Sequence, residues 1–318
     1  MFRLTYTLSQ SLRDAFVSID SLRRTILTTP VSPKTELELQ FQATIDRTYG
    51  SLALAGGPIT KHDVAALLSR PPKRMLPLVR DVLSYKKALT YITQTWSANP
   101  KAVSVSAVET IATLVYPDAK DIRRDLHSLE TTIRRIIEWG DPQHDHPILQ
   151  AAVTQALLTD AFAGKTDHGQ IARLVSYLIL TKYGFDLRGM LAPEREWARA
   201  ADSYKRAFET IERHNEFTAW LLYFTMTVRS GMEELHQSLS KSSSELHVDV
   251  SKHFFDLSDR QKTILGLLES PTARITNRDV QKRFKISQIT ASRDLSKLAS
   301  LGLLYSHGKG RSVSYTRA

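Results

Sequence analysis

Cysteine is absent from the sequence, so neither disulfide bridges nor thiolate metal sites can form. Also missing is any apolar run near the roughly 20 residues that a membrane-spanning helix needs. Met1 to Gln10 contain one arginine and no hydrophobic stretch of the kind a secretion signal carries. A cytoplasmic protein without membrane attachment is the expectation. Internal repeats are lacking, and strand-like alternation is almost absent before the last fifth of the chain. What is present is the composition of an ordinary globular protein, 42% hydrophobic and 24% charged. The 318 residues suffice for about two domains.

The net charge of +10 is unevenly placed. From Leu257 to Ala318 there are 12 Lys or Arg against 4 Asp or Glu, whereas the other 256 residues carry 31 basic and 29 acidic side chains. Nearly all the excess therefore lies in one short terminal segment. A small, strongly basic domain is the electrostatic footprint of a phosphate-backbone binder, because neutralising phosphates releases condensed counterions.

Local signals in that segment spell out a helical order. Ser258 with Gln261 three residues on forms a capping-box pattern before Ile264, Leu265, Leu267 and Leu268, which predicts a helix ending near Ser270-Pro271. Thr276 caps a second helix, with Val280 and Phe284 buried and Asp279 in the acidic first turn. After Lys285-Ile286, Ser287 caps a third, whose apolar stripe is expected to be Ile289, Leu295, Leu298 and Leu301, with Gly302 ending it. Leu303 to Tyr305 and Val313 to Thr316 are expected as strands around a Gly308-Lys309-Gly310 tip.

Three short helices and a basic hairpin form the winged helix-turn-helix pattern, whose third helix enters the major groove of double-stranded DNA. The exposed positions expected at its start are Ser287, Gln288, Thr290, Ala291, Ser292 and Arg293. Gln and Arg there can bond base edges bidentately, and Ser or Thr suit base or phosphate oxygens. Lys297 is placed for a phosphate, and His307, Lys309, Arg311 and Ser312 of the wing for backbone or minor groove. A winged helix used for protein contacts is the competing expectation.

The first 250 residues show apolar residues at helical spacing in Leu76 to Ile92, Ile122 to Trp139, Ile148 to Leu158, Ile171 to Tyr183 and Phe217 to Met232. Breaks fall at Gly56-Gly57-Pro58, Pro71-Pro72, Asn99-Pro100, Tyr116-Pro117, Gly140-Asp141-Pro142 and Ala192-Pro193. Five serines between Ser238 and Ser244 mark a linker, although a helix could run through it. Trp197, Tyr204, Phe208 and Trp220 are expected in the core, the arginines at 123, 124, 134 and 135 on a salt-bridged surface, and His144-Asp145-His146 in an exposed polar turn.

The order of these segments resembles the Fic family, whose active members transfer AMP or related groups from nucleotides onto protein hydroxyls. Ser51-Leu52-Ala53-Leu54-Ala55-Gly56 stands where the family has Ser/Thr-x-x-x-Glu-Gly. Val82, Tyr85 and Ala88-Leu89 follow, then His146-Pro147-Ile148-Leu149, Ala172-Arg173-Leu174, Tyr183-Gly184 and Thr218-Ala219-Trp220-Leu221, in family order. The resemblance spans roughly Leu37 to Ala318, since family members are often followed by a winged helix. It implies a bacterial protein and a helical bundle around an active-site loop.

That loop departs from the family. The family's His-Pro-Phe-x-x-Gly-Asn-Gly-Arg supplies a general base and a glycine turn that cradles phosphates at a helix N-terminus. Here the stretch from Asp160 to Arg173 keeps only Phe162, scattered glycines and Arg173. Asp160 replaces the histidine, and an aspartate carboxylate is a feeble base at neutral pH. Asp167 adds negative charge where a phosphate would lie. Ala55 replaces the inhibitory glutamate, a restraint that a protein without transfer activity does not need. Lys165-Thr166 lacks the strand and upstream glycine of a phosphate loop.

The expected fold is therefore mainly α: a degenerate Fic-like helical bundle over residues 1–237, a linker over 238–256 and a winged helix-turn-helix over 257–318. The expected role is that of a homodimeric DNA-binding transcription regulator, a pseudoenzyme with no cofactor and no metal, whose body dimerises or senses a ligand the sequence leaves open. Two readings stand beside it. One is a divergent nucleotidyl or phosphoryl transferase using Asp160 or His168; the other is an interaction module that binds neither DNA nor nucleotide.

Overall fold

Polar caps and apolar stripes lay down α1 (Gln10–Thr28), α2 (Pro33–Leu54), α3 (Lys61–Ser69), α4 (Pro77–Trp96), α5 (Val105–Val115), α6 (Lys120–Trp139), α7 (Pro147–Ala161), α8 (Gln170–Lys182), α9 (Glu194–Arg199), α10 (Ala201–His214) and α11 (Thr218–Phe255). The computed structural model describes residues 4–72, 74–96, 102–117, 120–139, 146–163, 169–255, 257–268, 273–301, 303–308 and 313–317, with backbone alone over 242–255 and at 317. Ser9, Thr60 and Ser104 accept the N–H groups left free at the starts of α1, α3 and α5, and Thr60 with Asp63 completes a capping box. Two compact units result: residues 1–29 with 36–238, and 30–35 with 239–318.

The larger unit is built around α7 and α8. Every residue from Ile148 to Leu158 is buried, as is every residue from Gln170 to Thr181. A helix apolar on all sides has to be covered on all sides, and α4, α5, α6 and α10 supply the cover. Two polar bonds tie these helices together inside: Trp220 donates its indole N–H to the Ala152 carbonyl at 2.8 Å, and Gln155 donates to the Tyr204 hydroxyl at 3.2 Å. Trp197, Tyr204, Phe208 and Trp220 are core residues, and α6 keeps its surface arginines on exposed ion pairs, Arg124 with Asp121 and Arg134 with Glu130.

α2 crosses close to the start of α9. A side-chain carbon on Gly50 would lie 2.3 Å from the Glu194 carbonyl oxygen, so only glycine permits the approach. That approach lets Arg47, 2% exposed, pair with the equally buried Glu194 at 3.2 Å and donate to the Leu191 carbonyl.

The serine-rich stretch takes the helical alternative that the sequence left open, within α11, and one expectation in the larger unit needs correction. Serine is a middling helix former, costing roughly half a kcal/mol relative to alanine, and the stretch contains no glycine or proline. His146 is not in an exposed turn; it caps α7, accepts the Ile148 N–H at 3.2 Å and stacks on Phe16 at 4.3 Å. His144 and Asp145 lie outside the described residues.

The smaller unit continues with α12 (Asp259–Gly266), β1 (Ile275–Thr276), α13 (Asn277–Phe284), α14 (Gln288–Ser300), β2 (Leu304–His307) and β3 (Ser314–Arg317). The three strands form an antiparallel sheet in the order β1-β3-β2, with Ile275 opposite Tyr315 and Tyr305 opposite Thr316. Ile264, Leu265, Leu268, Val280, Leu295, Leu298 and Leu304 form its core. α12 stops at Gly266, a turn before the expected end, and β1 was not expected. Gly302 lies outside the described residues.

Candidate functional site

The first turn of α14 is set by its cap. Ser287 Oγ accepts the Thr290 N–H at 3.2 Å and lies 2.9 Å from the Thr290 hydroxyl, so both side chains are committed to the helix start. Asn277, opening α13, donates to the Gln288 carbonyl at 3.2 Å and fixes the two helix starts against each other. Left-handed Lys285, with φ of 50°, makes the turn between them.

What α14 then presents outward is Gln288, Ile289, Ser292, Arg293, Ser296 and, a turn further on, Lys297, all exposed. Arg293 has no ion-pair partner among the described residues. Two positions exchange roles relative to the sequence expectation: Ile289 is 67% exposed, and Ala291 is fully buried. Helical phase explains the exchange. At about 100° per residue, Ala291, Leu295 and Leu298 share one face, while Ile289 sits some 120° off the line through Leu295.

His307 is exposed at the end of β2, and its Nε2 lies 2.8 Å from the Thr316 hydroxyl across the hairpin. Lys309, Arg311 and Ser312 lie outside the described residues.

One constellation escaped sequence reading. Asp294 falls on the buried face of α14, 5% exposed, where it accepts from Arg260 Nε at 2.6 Å and from Gln261 Nε2 at 2.8 Å. The same Gln261 caps α12 through its side-chain oxygen, which accepts the Ser258 N–H at 3.1 Å. A buried carboxylate is tolerated only with such donors, and the three residues fasten α12 to the helix that presents Gln288 and Arg293. The signal available was an acidic residue in phase with Ala291, Leu295 and Leu298.

In the larger unit the stretch expected as the active-site loop falls between α7 and α8. Asp160 is exposed on the last turn of α7, and Phe162, 1% exposed, ends that helix. Residues 164–168, including Lys165, Asp167 and His168, lie outside the described residues. Gly169 caps α8 with φ of 77°, and Arg173 follows, 3% exposed. Arg173 donates to the hydroxyl and the carbonyl of Ser51 at 2.8 and 3.0 Å. Ala55, half-buried, is one turn beyond Ser51, whose carbonyl accepts the Ala55 N–H at 3.2 Å. The two segments that carried the resemblance, far apart in sequence, are thus in contact.

No protein-family profile matches the sequence, and no curated protein does. Solved structures are similar in fold. A Fic family protein from Desulfovibrio desulfuricans G20 matches over 100% of this chain and 98% of its own, with a TM-score of 0.60 at 12% identity. Fic-1 from C. elegans matches over 70% of each chain with a TM-score of 0.58 at 16% identity. A Fic domain containing signaling protein from Bacteroides thetaiotaomicron VPI-5482 matches over 73% of this chain and 98% of its own, with a TM-score of 0.53 at 13% identity. The chain has the mainly α fold of Fic-family proteins.

Proposed function

We propose that the chain is a DNA-binding transcription regulator whose terminal unit is a winged helix-turn-helix and whose Fic-like body performs no nucleotidyl transfer. The observation that carries this reading is the outward face of α14, where Gln288, Ser292 and Arg293 stand exposed on a rigidly capped helix. It lies in the segment that holds most of the protein's excess positive charge. The helix–strand–helix–helix–hairpin order, with β1 closing the sheet against β3, supports the winged assignment.

In the major groove, Arg293 suits the O6 and N7 acceptors of guanine and Gln288 the N6 and N7 pair of adenine, while exposed Ile289 suits a thymine methyl. Lys297 and His307 lie where phosphates would run. A symmetric dimer would place two such helices on half-sites one helical turn apart, about 10 base pairs. Loss of the family's histidine at Asp160 and glutamate at Ala55 supports a body used for dimerisation or sensing.

Selection of bound fragments from genomic DNA tests this directly. Enriched palindromic half-sites are expected, and no enrichment over scrambled DNA would overturn the reading. The fold likeness and the exposed carboxylate of Asp160 favour a second reading, a divergent nucleotidyl transferase. Transfer of label from ATP onto protein, lost in Asp160→Ala, would establish it.

A further inference from the structure

A groove of about 420 Å³ opens in the smaller unit where the end of α12, β1 and α13 meet. Leu267 and Ile275 form its apolar wall, and Arg274, Lys282 and Arg283 stand around it, all three exposed. Asp279 is the one acid lining it among the described residues.

The groove is on the flank of α13 turned away from α14. Asn277 and Gln281 mark the opposite flank, since Asn277 donates to the Gln288 carbonyl and Gln281 donates to Asn277. At about 100° per residue, Arg283 stands some 160° round the helix from Gln281. This surface is therefore distinct from the face that carries Gln288 and Arg293.

Its cations are left without carboxylates. In the larger unit an exposed arginine takes the acid four residues before it, as Arg134 does with Glu130 and Arg213 with Glu209. Arg283 has the same opportunity, because Asp279 precedes it by four residues in the favourable order. Asp279 turns back instead and accepts the N–H and the hydroxyl of Thr276 at 2.8 and 2.6 Å. Arg274, Lys282 and Arg283 consequently make no ion pair among the described residues. The helix dipole favours Lys282 and Arg283 in the last turn of α13. It gives no reason for Arg274, which precedes β1 and lines the same recess. Like charges gathered there repel one another, and an anionic partner relieves the repulsion.

The rest of the wall selects the kind of anion. A phosphate backbone offers no apolar group to Leu267 and Ile275, and Asp279 repels it. A peptide offers side chains to the first two and backbone N–H donors to the third. Planar guanidinium groups also suit carboxylates, which they can meet with two parallel bonds.

We propose that this groove docks a short acidic segment of a partner protein, with its carboxylates on Arg274, Lys282 and Arg283 and an apolar side chain against Leu267 and Ile275. The docking does not depend on DNA binding by α14.

Fluorescence anisotropy on the full chain at physiological salt tests it with a labelled peptide of aspartates flanking one leucine. The same peptide with asparagine for aspartate, or with serine for leucine, serves as control. The acidic leucine peptide is expected to bind, and both controls more weakly. Arg274→Gln combined with Arg283→Gln is expected to weaken binding roughly tenfold or more, as loss of charge-assisted contacts does. Arg278→Gln, which removes a charge from the same helix outside the groove, and Arg293→Ala on α14 are expected to leave it within about twofold, because charges that do not touch the peptide are screened. No binding, equal affinity for either control peptide, or an equal loss in Arg278→Gln overturns the proposal. Complete displacement of the peptide by mixed-sequence duplex DNA also overturns it, and assigns the groove to phosphate contact. Because peptide binding is measured without DNA in the other arms, its failure and that of the regulator reading are separable.

Discussion

Arg173 reaches across 122 residues of sequence to place its Nε 2.8 Å from the Ser51 hydroxyl and a terminal nitrogen 3.0 Å from the Ser51 carbonyl. Both residues are buried, so neither bond is exchanged for water without loss. Arg173→Met should lower stability by about 1–3 kcal/mol, read from urea unfolding, because it removes a charged donor from the Ser51 hydroxyl and leaves the Ser51 carbonyl with the Ala55 N–H alone. Arg173→Lys should not fully restore the lost stability, since the compact ammonium does not reproduce the planar fork by which Nε and a terminal nitrogen meet the two oxygens. Stability equal to wild type in Arg173→Met would show that the contact contributes nothing.

Asp160 provides a contrast. It is exposed, and its replacement by alanine should change stability by less than about 0.5 kcal/mol. Under the regulator reading, wild type and variant alike transfer no label from ATP.

The bond between Asp294 and Gln261 joins α14 to the cap of α12. Asp294→Ala removes an acceptor shared by Gln261 and Arg260 and should cost about 1–3 kcal/mol. The figure is kept low because Arg260, 33% exposed, can return to water. Asp294→Asn, which retains one acceptor, should cost less. Hydrogen exchange should locate the loosening in α12 and α14, and equal protection in both variants would rule the clamp out.

On DNA, Arg293 and Lys297 should behave differently. Arg293→Ala should cost roughly 1–3 kcal/mol and relax specificity at one base pair. Lys297→Ala should weaken all sequences alike and lower the salt slope by about one. Fluorescence anisotropy at several salt concentrations measures both quantities.

Burial raises the Asp186 carboxyl to about 6, outweighing the Arg47 charge, the Gly189 N–H and Arg23. The folded protein therefore holds this proton more tightly than the unfolded chain, whose carboxyl ionises near 4. Stability from this group rises as pH falls from neutral through 6 and is lost as pH rises again, by an amount on the order of 2 kcal/mol. Asp186→Asn, which can still accept the Gly189 N–H, should flatten chemical-denaturation stability between about pH 4 and 6.

Sequence alone determined what depends on near neighbours. The caps at Ser258, Thr276 and Ser287 formed where their side chains reach an N–H three residues on. The apolar periods of α4, α7 and α8, and the hairpin around residue 308, were legible for the same reason. The two residues of β1 were not, because a strand that short exists only through its pairing with β3. Only tertiary structure could decide that Arg47 meets Glu194, that Arg173 meets Ser51 and that Asp294 meets Arg260, pairs separated by 147, 122 and 34 residues. A buried charge finds its partner through packing of distant helices, and no local period records which helix that will be.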